Sequence, residues 1–332
     1  MKALRTCPTP CRTDVTRRGF LGTVAAAATA FSFEERILAA AGSEPRSAIK
    51  PVAKIETGKI GKVEISRLIC GGNLIGGYAH SRDLIYVSSL LNHYFTDEKV
   101  MDTWQICEEH GINTMIVNPD NVRAVKLFQR YRQERGGRMQ WLAQAVPDED
   151  KMDEVIKQAV DDAASGVFIV GNVGDRWSFD KRLDLIGQFI DLVHRHGVIT
   201  GVAGHSIEMV EAVEGARIPV DFYMKTLHHN KYWSARRPDQ NQPVIENYAT
   251  DNYFDMDPER TIAVMQKIEK PWIAYKVLAA GAIAPKVGLD FAYRNGADFA
   301  CVGMFDFQVA EDVAHANDVI AQLPDRRRAW CA

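Results

Sequence analysis

Two lysines interrupt apolar runs in this chain: Lys276 in Trp272-Ile273-Ala274-Tyr275-Lys276-Val277 and Lys225 in Tyr223-Met224-Lys225-Thr226. A lysine inside an apolar strand is costly unless it is paired or deprotonated. A desolvated amine serves as a base, or as a Schiff-base nucleophile toward a carbonyl. The alternative is that one or both point outward and lay their stems between helices. His205 and His228-His229 also follow apolar runs. They could move protons, or bind a divalent metal with Glu246, Asp251, Asp255 and Asp257. No H-E-x-x-H pattern fixes a metal site. Asn73, Asn118 and Asn172 end three more apolar runs. There they would orient substrate hydroxyls or cap the turn that follows.

The elements that must position these residues alternate. Brief apolar runs begin near Arg67, Thr114, Gln140, Val167, Val198, Val220, Trp272 and Phe299, and each is followed by an amphipathic stretch. Eight such units without a glycine-rich dinucleotide fingerprint predict an α/β fold, a (β/α)8 TIM barrel over residues 59–325. A hairpin over Gly58–Ile65 precedes it, and residues 326–332 form a tail. Chemistry in such barrels sits at the C-terminal strand ends and in the loops beyond them. Two of those loops are long. Gly71–Thr96 carries Tyr78, His80 and Arg82, and His228–Asp257 carries Tyr232 and Trp233. Aromatics alternating with charges suit a polar, ring-shaped ligand, or a contact between copies of the chain in a homo-oligomer. Asp257-Pro258-Glu259 reads as a helix N-cap and first turn.

The N-terminus carries Thr16-Arg17-Arg18-Gly19-Phe20-Leu21, an alanine-rich apolar run to Phe33, and small residues Ala39-Ala40-Ala41. This reads as a twin-arginine signal over residues 1–41 and a linker over 42–58. It predicts a partner, the twin-arginine translocase, and a periplasmic or otherwise exported location. The net charge of −3 becomes −6 without that segment, so no basic footprint points to nucleic acid. Cys70, Cys107 and Cys301 lie in apolar patterns and read as buried thiols, while Cys331 could pair between chains.

Scattered segments over residues 60–320 resemble the aldo-keto reductase superfamily. They are Gly61-Lys62-Val63-Glu64-Ile65-Ser66-Arg67-Leu68 with Gly71-Gly72, Glu109-His110-Gly111-Ile112-Asn113, Gly201-Val202-Ala203-Gly204-His205-Ser206, and Val302-Gly303-Met304 followed by Glu311. The resemblance implies a barrel that transfers hydride from NADPH, with a Tyr proton donor assisted by Lys, Asp and His. Those positions are not matched. The second strand ends in Asn118-Pro119 without Asp-Thr, the loop after it lacks the tyrosine, Gln144 stands where Lys is expected, and Gly171-Asn172 replaces His. The insert after the seventh strand, Ala279–Pro285, is short. Losing a proton donor together with its electrostatic partners removes most transition-state stabilisation of carbonyl reduction.

The expected function is therefore acid/base chemistry on a small carbonyl or sugar-like substrate, of isomerase, lyase or aldolase type. Lys276, with His205 or His228, would act as base and acid, with Lys225 as a second candidate amine. Two other readings are an NADP-dependent oxidoreductase that departs from the usual tetrad, and a ligand-binding barrel without turnover.

Overall fold

A computed structural model describes residues 52–78, 80, 84–232, 234–237, 239–240, 254–323, 326 and 328–332. The expected signal, most of the linker, Arg82, Trp233, Glu246 and Asp251 lie outside the described residues.

The chain enters through an antiparallel hairpin, β1 (Thr57–Ile60) and β2 (Val63–Ser66), turned by Gly61 at φ +55°. Eight parallel strands follow: β3 (Leu68–Gly71), β4 (Thr114–Val117), β5 (Gln140–Ala145), β6 (Gly166–Ile169), β7 (Ile199–Gly204), β8 (Phe222–Thr226), β9 (Trp272–Tyr275) and β10 (Phe299–Val302). They pair in chain order, and β10 closes on β3. The chain is a (β/α)8 TIM barrel.

Alternation along each strand divides the core in two. Ile69, Ile116, Leu142, Phe168, Phe222, Met224, Ile273 and Tyr275 fill the barrel, where Ile60, Val63 and Ile65 of the hairpin join them. The intervening residues, such as Cys70, Trp141, Tyr223, Trp272 and Ala274, face the surrounding helices. Both strand faces are dry, which is why the strands read as continuous apolar runs.

Among the described residues the helices are α1 (Val87–Tyr94), α2 (Asp97–Glu109), α3 (Val122–Arg135), α4 (Met152–Asp161), α5 (Gly171–Phe179), α6 (Leu183–Arg195), α7 (Ile207–Gly215), α8 (Pro258–Met265), α9 (Pro285–Arg294) and α10 (Val309–Ala321). Thr96 caps α2 and Asp257 caps α8 through their side-chain oxygens, as their spacing predicts. Two helices depart from the sequence reading. The first long loop contains α1. Helix α5 starts at Gly171, directly after β6, where the sequence predicts a loop.

Glycine explains the second departure. Gly171 and Gly174 lower the helix propensity of α5, yet they let it lie on the barrel. A Cβ on Gly174 would stand 2.1 Å from the Ala203 carbonyl oxygen.

At the opposite end of the barrel Asp298 is fully buried and accepts from Arg328 Nη1 at 2.6 Å and from the Trp272 and Cys331 backbone N–H groups. Trp330 lies between the Arg67 and Arg326 guanidinium groups, 4.0 and 3.7 Å from its ring. The four described cysteines are free thiols; Cys70 and Cys107 are buried as expected, and Cys301 and Cys331 are half-buried.

Candidate functional site

His205 follows β7 directly. Ala203 packs inside the barrel and Val202 outside, so the alternation turns the His205 side chain inward at the C-terminal mouth. Its Nδ1 donates to Asp175 Oδ2 at 2.7 Å. Asp175 comes from α5 and also accepts from the backbone N–H groups of His205 and Ser206. Both residues are buried, Asp175 the more deeply. The hydrogen bond puts the proton on Nδ1 and leaves the lone pair on Nε2. Burial lowers the His205 pKa against the pull of Asp175, and Lys276 and Lys225 lower it further. His205 is thus a neutral base of fixed tautomer at neutral pH. The sequence points to His205 but not to Asp175, because no local pattern marks a carboxylate on a helix that the sequence hides.

The Tyr275 ring lies 5.5 Å from that of His205. A Cβ on Gly171 would meet the Tyr275 hydroxyl at 2.6 Å and His205 Cε1 at 2.7 Å, so the three residues converge where α5 begins. Burial pushes the Tyr275 hydroxyl well above its ordinary range. Thr226 is close enough to offset part of that shift, but no hydrogen bond of proper geometry joins the two hydroxyls.

Lys276 takes a left-handed backbone conformation at φ +58° as the chain leaves β9. Its Nζ approaches His80 Nε2 at 2.7 Å, and Asn73 Nδ2 is 2.9 Å from the same nitrogen. Lysine, histidine and asparagine thus tie the first long loop to the end of β9. An ammonium donating to Nε2 requires a neutral His80.

Lys225 does not reach the mouth. Phe222 and Met224 face the barrel interior, so Lys225 faces the helices, where it is fully buried. Its Nζ donates to the Thr226 carbonyl at 2.8 Å and stands 3.6 Å from Asp255 Oδ1. Desolvation raises the Asp255 pKa, opposed by Lys225 and His228. His228 is buried with both ring nitrogens engaged: Nε2 accepts from the Asp255 backbone N–H at 2.8 Å and Nδ1 donates to the His229 carbonyl at 3.1 Å. It anchors the end of the second long loop.

Of the asparagines, Asn118 caps its own turn by accepting from the Asp120 N–H. Asn172 lies in the first turn of α5, and Asn73 alone reaches another candidate residue. Tyr78 is exposed at the rim, and Tyr232 packs edge-on against His228. No group of three metal-ligating side chains occurs among the described residues.

Asp175 and His205 line a cleft of ≈ 340 Å³ at this end of the barrel. Its other walls come from α5, the start of α7, and the segment leading into α8.

No protein-family model matches the sequence, and no curated protein does. Solved structures do match. An aldo-keto reductase from Pseudomonas aeruginosa, so described only putatively, is 16% identical over 83% of this chain and 99% of that chain, at a TM-score of 0.56. A second structure under that description, from the same organism, is 16% identical over 82% and 100%, at a TM-score of 0.52. The likeness is one of fold.

The chemistry of that family does not follow, because Gln144 and the side-chain-free Gly171 occupy the positions where the resemblance calls for Lys and His. A Tyr, a Lys, a His and an Asp do meet at this mouth, but they come from β9, its end, the end of β7 and α5. The residues present do not fit the nicotinamide-dependent tetrad.

Proposed function

We propose that this barrel is an enzyme that moves a proton on a small carbonyl or sugar-like substrate, in an isomerase-, lyase- or aldolase-type reaction. The observation that carries the reading is the His205–Asp175 pair at the C-terminal end of β7, where barrel enzymes place their chemistry. His205 Nε2 takes the proton next to the carbonyl. Asp175 holds the ring in the tautomer that can do so and stabilises the imidazolium that forms. Lys276, held by His80, supplies a positive charge or a proton to the developing oxyanion. Fold alone does not fix the reaction, so the assignment rests on these side chains.

The test is a screen of hydroxy-carbonyl and sugar substrates with no added nicotinamide, followed by His205→Ala, Asp175→Asn and Lys276→Ala. Turnover should fall by roughly 10²-fold or more in the first two, with the fold intact. Unchanged turnover in His205→Ala removes the base. Activity only with NADPH would restore the reductase reading, and tight ligand capture without product would make the chain a binding protein.

The export reading joins the proposal. Exchanging Arg17 and Arg18 for lysine should retain the protein in the cytoplasm, and unchanged periplasmic yield would reject a twin-arginine route.

A further inference from the structure

The cleft beside the His205–Asp175 pair has a chemical bias of its own. At ≈ 340 Å³ it is the size of a small-ligand pocket. Phe179, Met209 and Met256 give it apolar walls, and Phe179 is 61% exposed at its rim. Asp255 also lines it and is only 1% exposed. Asp255 Oδ1 accepts from Thr261 Oγ1 at 3.1 Å and faces Lys225. Asp255 Oδ2 is buried with no hydrogen bond of proper geometry, although the Asp257 backbone N–H lies close enough to offset part of the carboxyl's upward shift.

A buried carboxylate oxygen left without a donor costs free energy that a bound donor recovers. The other charges in the cleft do not supply one. Arg260 is committed to Glu208 and Glu211, and Asp257 caps α8. Asp175 is filled by His205 and two backbone N–H groups. Asp175, Glu208, Asp255 and Asp257 along the lining outnumber Arg260 and the Lys225 ammonium behind Asp255, so the local field favours a cation.

We infer that this cleft binds a small ligand with an apolar body and a protonated amine, the amine seated against Asp255 Oδ2 and the body against Phe179 and the two methionines. This deepens the function proposed above, since His205 and Asp175 share the cleft wall; it makes an amine-bearing carbonyl or sugar-like compound the substrate class.

The experiment is calorimetric titration of the purified full chain at pH 7 with isobutylamine and, separately, with isobutyrate, which has a similar apolar body and the opposite charge. Isobutylamine should bind saturably and isobutyrate should not. Asp255→Asn should weaken the amine at least about tenfold, the scale of a lost charge-assisted hydrogen bond. Phe179→Ala, at an exposed position that carries little folding risk, should weaken it several-fold. Equal binding of amine and acid, or undiminished amine affinity in folded Asp255→Asn, overturns the inference. The comparison of amine with acid on the unaltered chain decides the matter even if Asp255→Asn does not fold. Binding is read without turnover. Amine capture in a chain whose His205→Ala variant loses nothing would refute the catalytic reading alone, and turnover of amine-free substrates without amine binding would refute this inference alone.

Discussion

Asp312 offers a quantitative test of how this barrel holds charge. It lies in the first turn of α10, buried where that helix packs on α2 and near the Cys107 thiol. Burial, with a smaller contribution from Glu311, pushes its carboxyl up to about 7. The same group in the unfolded chain titrates at about 3.9. Between those two values the folded chain binds the proton and the unfolded chain does not. Stability must therefore fall as pH rises through this window, by about 1.4 kcal/mol per unit and about 4 kcal/mol in all above pH 8.

Asp312→Asn removes the titration while keeping the shape. The variant should match the parent near pH 3, pull ahead steadily above pH 4, and be about 4 kcal/mol more stable at pH 8.5. Urea unfolding followed by circular dichroism across that range measures the difference, provided the slope against urea is common to both. A gap that does not change with pH would refute the reasoning, because it would mean that Asp312 is ionised in both states or in neither.

Three other outcomes are expected. Gly174→Ala should destabilise the chain by roughly 2–3 kcal/mol or prevent its accumulation, since the added Cβ would press on the Ala203 carbonyl oxygen; a stability unchanged within about 0.5 kcal/mol, read in urea, would contradict the packing of α5 on β7. His205, its pKa lowered, should stay neutral below pH 6.5 while the unfolded chain takes up the proton, so this residue costs stability as pH falls. Imidazole NMR should show that late titration, and Asp175→Asn should move it lower still. Arg328→Ala leaves the buried Asp298 carboxylate with backbone donors and a weaker contact to Arg326 at 3.7 Å; it should cost about 3–5 kcal/mol by thermal or urea unfolding, and a loss under about 1 kcal/mol would mean that the pair is not desolvated.

The sequence by itself determined the barrel. Eight apolar runs, each too short to be a helix and dry on both faces, leave few arrangements other than a closed parallel sheet wrapped in helices. It also placed His205 and Lys276 at strand ends, because a strand end is a local property. What it left open was direction and partnership. Whether Lys225 points into the barrel or under the helices depends on strand parity, which closure of the sheet sets, and the result takes that lysine away from the mouth and pairs it with Asp255. Asp175 was invisible because α5 is built on glycines that propensity counts against; only contact with β7 makes it a helix and aims its carboxylate at His205. Asp255 is 27 residues from His228, yet its backbone N–H meets that ring. Such contacts join residues far apart in the chain, and they arise from packing that no short stretch of sequence encodes.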